Sequence, residues 1–68
     1  MSKMKMLDHQ KLILKNSLHD NAMFYKELTK SIKWLKPSER RELFLWLRNN
    51  YWDTHKEIIK AVFNKEAA

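Results

Sequence analysis

The chain contains no glycine and a single proline, Pro37. Glycine supplies the positive-φ residues that tight hairpin turns need, so strands joined by short turns are disfavoured from the outset. Leu, Lys, Glu, Ala, Met and Arg, all good helix formers, are abundant. The prediction is an all-α fold, a compact bundle of three to four short helices. The missing glycines also remove the phosphate-cradling P-loop, the dinucleotide-binding G-x-G-x-x-G, the G-x-S-x-G nucleophile elbow and the EF-hand loop.

Sixty-eight residues support one core, so residues 1–68 read as a single helical domain with residues 1–5 and 64–68 frayed. A hydrophobic share of 44%, with 3 Trp, 2 Tyr and 3 Phe, exceeds what disordered segments carry. Cysteine is absent, which excludes a disulfide framework, a thiolate zinc site and a thiol nucleophile. The longest apolar run, Leu43 to Leu47, is far short of the roughly 20 residues that cross a bilayer. No membrane partner and a cytoplasmic location are expected.

The apolar pattern places the helices. Leu12, Ile13 and Leu14 read as part of a short first helix. Asp20 or Asn21 can cap a second, in which Phe24, Leu28, Ile32 and Leu35 recur at helical spacing with Lys26, Lys30 and Lys33 opposite. Pro37 disfavours helical geometry at Lys36 and suits the first position of a new helix, so a central helix over approximately 37–52 follows. Leu43, Leu47 and Tyr51 form its apolar line, with Phe44 beside it. Leu45 and Trp52 lie roughly opposite that line and Trp46 on its flank, which leaves this helix either wedged between neighbours or half exposed. Thr54 and Glu57 have capping-box spacing and predict a fourth helix carrying Ile58, Ile59, Val62 and Phe63.

Catalytic chemistry finds no foothold. His9, His19 and His55 have none of the spacings of metal-binding helices, and Glu39 and Glu42 sit one turn apart beside Arg40 and Arg41 as ordinary helix-surface charges. His55 reads as a first-turn residue after the cap. No enzyme activity, metal, cofactor or small-molecule substrate is expected.

Charge supplies one functional candidate. Fourteen Lys and Arg against 8 Asp and Glu give a formal net charge of +6. Lys30, Lys33, Lys36, Arg40, Arg41 and Arg48 cluster around Pro37, a distribution that suits phosphate contacts on nucleic acid. It equally suits the solvated faces of amphipathic helices. The segment Leu35-Lys36-Pro37-Ser38-Glu39-Arg40-Arg41-Glu42-Leu43 resembles the opening helix of the LuxR-type helix-turn-helix domain, and His55-Lys56-Glu57-Ile58-Ile59 is similar to the start of its second helix. The resemblance covers about a third of the chain and implies a DNA-binding role. The two segments lie further apart than in that family, and the turn lacks its small residues.

The aromatic residues supply the other candidate. Trp34, Trp46 and Trp52 fall in one 19-residue stretch, none of them on the main apolar line of its own helix. Trp and Arg are enriched among interface anchors. The expected function is a small non-enzymatic protein-binding module, a homodimer, adaptor or inhibitor. It would dock a protein partner, self or foreign, through Trp34, Leu45, Trp46 and Trp52, with Arg41 and Arg48 reading an acidic rim. A basic nucleic-acid-binding regulator is the alternative.

Overall fold

A computed structural model describes residues 5 to 67. Three helices follow one another, α1 (Met6–Lys15), α2 (Asn21–Trp34) and α3 (Pro37–Ala67), with no strand among the described residues. The all-α bundle expected from the composition is what forms. Most of the segment expected to fray at the C-terminus, 64–67, continues α3, whereas residues 1–4 and 68 lie outside the described residues.

Each helix start has an identifiable cause. Asp8 in the first turn of α1 and Lys15 in its last complement the helix dipole. The Asp20 carboxylate accepts a hydrogen bond from the Met23 amide at 3.1 Å, capping α2 as its sequence position predicts. Pro37 opens α3, and the Glu39 carboxylate reaches back to accept from the Lys36 amide at 3.0 Å. Only this carboxylate half of a capping box is built, because Lys36 carries no hydroxyl to complete it. Arg40 adds a second tie, its Nε donating to the Leu35 carbonyl at 3.0 Å. Two residues, Leu35 and Lys36, therefore suffice to join α2 to α3.

The third helix is not a straight rod. Thirty-one residues would run about 46 Å at 1.5 Å per residue, yet the longest extent of the fold is 37 Å. Helical geometry fails at His55 (φ −127°, ψ 19°), and the ring centroids of Phe44 and Phe63 approach to 5.1 Å. Along a straight helix those two residues would stand about 28 Å apart. The segment 56–67 thus folds back against 37–54, giving four helical layers from three helices. The break falls where a fourth helix is expected, but the cause differs. The Thr54 hydroxyl lies 2.7 Å from His55 Nδ1 and 3.3 Å from the Tyr51 carbonyl rather than capping an amide near Glu57.

Both arms of α3 meet α1 and α2 in one core. Leu7 and Leu14 of α1, Phe24, Leu28 and Ile32 of α2, Leu35, and Leu43, Leu47, Ile59 and Val62 of α3 are buried together. The predicted lines Phe24–Leu28–Ile32–Leu35 and Leu43–Leu47 are therefore the inner faces of their helices. Of the Leu12–Leu14 run, only Leu14 is fully buried, while Leu12 faces solvent.

Candidate interaction surface

The bend determines which flanks of the central helix are covered. At about 100° per residue, Arg41, Leu45, Arg48 and Trp52 fall within a sector of roughly 60°, on the side away from Leu43 and Leu47. The returning arm covers one border of that sector. Trp52 packs edge-on to Phe44 with centroids 6.1 Å apart, and Phe44 in turn meets Phe63. Trp52 is consequently half-buried. On the other flank Trp46 is half-buried too, edge-on to Tyr51 at 5.2 Å, with the Lys11 ammonium of α1 5.7 Å from its ring centroid. A cation held over an indole in this way contributes about 0.5–1 kcal/mol at such a surface site.

Leu45 remains 46% exposed at one edge of that sector, and Arg41 one turn before it and Arg48 one turn after it are exposed as well. Trp34 is the most exposed large apolar residue described, at 60%, and closes α2 rather than belonging to the Leu45 sector. The six expected partner-binding residues therefore separate. Leu45, Arg41 and Arg48 share one open face with the rim of Trp52, Trp46 is turned toward α1, and Trp34 stands on a different helix.

The basic residues around Pro37 are similarly divided. Lys33, Lys36, Arg41 and Arg48 are exposed, whereas Lys30 lies 3.8 Å from Glu27 and Arg40 is half-buried with its Nε on the Leu35 carbonyl. The Lys30–Glu27 contact is the one ion pair among the described residues. Arg40 is thus a turn-fixing side chain first, its Nε committed to the Leu35 carbonyl.

Two buried polar positions escape a reading of apolar periodicity. Gln10 is fully buried on the line Leu7–Gln10–Leu14. His55 is 8% exposed, not on the surface of a first helical turn, and its ring packs 4.6 Å from that of Phe24. Its Nε2 lies 3.0 Å from the Leu18 carbonyl, which can only accept, so this nitrogen carries the proton. An open depression over the bend is lined by His55 with Asn21, Asp53, Lys56 and Glu57. Among the described residues no group of three or more His, Asp or Glu is placed to hold a metal ion, and no helix is long and apolar enough to cross a membrane.

No family model, curated protein or solved structure matches the chain, the helix-turn-helix resemblance included.

Proposed function

We propose that the chain is a small protein-binding module that docks a foreign partner on the outer face of α3, with Leu45 as its apolar anchor. The observation behind this reading is the 46% exposure of Leu45 on a helix, between two exposed arginines. Neither Arg41 nor Arg48 has a carboxylate within ion-pair distance among the described residues. A partner that presents an acidic rim around an apolar pocket would satisfy all three side chains, and the arginines would accelerate encounter. Two copies of this chain fit the face poorly, because each brings a net charge of +6 and like charge opposes association. A standard interface covers about 800 Å² per partner, close to a sixth of the 5085 Å² that this chain exposes. Leu45, the rim of Trp52 and the long arginine stems would make up the centre of such a patch.

Capture from cell extract on immobilised wild-type chain, followed by calorimetry with the purified captured protein, tests the reading. Leu45→Glu and the pair Arg41→Glu with Arg48→Glu are expected to weaken binding at least tenfold while helix content stays unchanged. Unaltered affinity in Leu45→Glu overturns it. The nucleic-acid alternative is favoured by the exposed Lys33, Lys36, Arg41 and Arg48, none of them ion-paired among the described residues. It predicts a shifted random-sequence duplex whose binding falls steeply with salt, and no shift at low salt eliminates it.

A further inference from the structure

The bend at His55 has unusual ingredients. The whole turn between the two arms of α3 is one residue with non-helical angles, and no glycine or proline lies anywhere in 49–57. Asn49, Asn50, Tyr51, Trp52, Asp53, Thr54 and His55 are all middling helix formers. Local preference therefore makes a break here cheap without forcing one, and nothing in this stretch forbids a helix from running straight through. What holds the bend is tertiary contact, from outside α3 and between its own two arms. The His55 ring is fastened to the Leu18 carbonyl in the turn before α2 and packs on Phe24, and Phe63 closes over Phe44.

We propose that residues 56–67 form an exchangeable arm, and that two copies of the chain swap it by straightening α3 at His55. In the open form α3 is one continuous helix about 46 Å long. Ile59 and Val62, buried in their own core in the closed chain, fill the same sites in the second copy, and Phe63 meets the second copy's Phe44. The exchanged dimer regains every contact of the arm itself. Only the hinge changes state, losing the His55–Leu18 and His55–Phe24 contacts and gaining uninterrupted helix. A short joint between two well-packed units is the arrangement in which such exchange is cheapest. The occupant is a second copy because only this chain carries the complementary core. Repulsion between two copies charged at +6 holds the exchange back at low salt and releases it as salt rises. This salt response is opposite to that of an acidic partner on the Leu45 face, so each proposal can fail without the other.

The test refolds the full chain from urea at millimolar concentration and measures its mass by sedimentation at low and high salt. A dimer that grows with salt is expected. His55→Ala removes the latch and substitutes a better helix former, and is expected to raise the association constant about tenfold or more. Two glycines inserted after His55 are expected to lower it by a similar factor, since a flexible link favours the closed chain. Position is read with spin labels on Arg48→Cys and on Lys60→Cys, both exposed sites on facing arms, carried by separate chains and mixed before refolding. An exchanged dimer gives a short distance between labels on different chains. Wild type and His55→Ala that both stay monomeric with native helix content overturn the proposal, as does a dimer lacking the short interchain distance. Where His55→Ala fails to fold, wild type against the glycine insertion decides the matter by the same two criteria.

Discussion

The Gln10 side-chain amide donates to the Ser31 hydroxyl at 2.7 Å across the α1–α2 contact, both residues being fully buried. The Ser31 hydroxyl donates in turn to the Glu27 carbonyl at 2.8 Å, so the chain of donors ends properly on that side. The other Gln10 atom, Oε1, is buried without a partner among the described residues. An orphaned buried acceptor costs more than one hydrogen bond returns. Gln10→Leu, of similar volume, is therefore expected to raise stability by about 1 kcal/mol. Urea denaturation checks it, and a clear loss of stability would show that Oε1 is satisfied in the folded chain.

Neighbouring arginines on α3 are expected to behave differently. Arg40→Ala releases the Leu35 carbonyl at the α2–α3 turn and is expected to cost about 1 kcal/mol. Arg41→Ala touches only solvent-facing surface and stays within about 0.5 kcal/mol of wild type. Arg40→Lys does not rescue, because the bond comes from Nε of a planar guanidinium that lysine lacks. Equal effects at the two positions in thermal melts would contradict this division.

Leucines two residues apart make the same contrast on one helix. Leu45→Glu adds a charge to an exposed position and is expected to leave stability within about 0.5 kcal/mol. Leu47→Ala empties a fully buried site and is expected to cost about 2–5 kcal/mol. A Leu45→Glu chain that unfolds would show that this residue belongs to the core. Trp52→Glu is less informative, since Trp52 supports Phe44.

The cap of α2 offers a local test. Asp20→Ala leaves the Met23 amide without its side-chain acceptor and is expected to cost about 1 kcal/mol, while Asp20→Ser recovers most of that loss. Denaturant midpoints for the two variants separate capping from the mere removal of a negative charge.

Much of the bundle can be read from local chemistry. Phe24, Leu28, Ile32 and Leu35 declare their inner face by spacing alone, Asp20 declares a helix start, and Pro37 declares both an end and a beginning. Those features depend on residues within one or two turns of each other. The features that are not legible depend on distant chain. Trp46 and Trp52 look free on a helical projection, yet the returning arm and α1 half-cover them, and nothing within 37–52 encodes that return. His55 acquires its partners from Leu18 and Phe24, more than thirty residues earlier in the chain. Gln10 did carry a signal, as a polar residue in step with Leu7 and Leu14. The candidate site is half legible for the same reason: Leu45, Arg41 and Arg48 stand together by period, but which of the three indoles joins them is a matter of tertiary packing.

The one-residue joint at His55 also governs how this chain can vary. A connecting loop absorbs an added or lost amino acid, but helical backbone on both sides of a single hinge passes the error on as a turn of about 100°. One residue deleted from the helical stretch 56–58 would rotate Ile59 and Val62 out of the interior and bring Lys60 toward it, whereas flexible glycines added at the joint itself make a loop that absorbs them. Reading-frame-preserving indels should be tolerated at the tips of the molecule and punished here, so that the length of this segment is under tighter constraint than the identity of most residues in it.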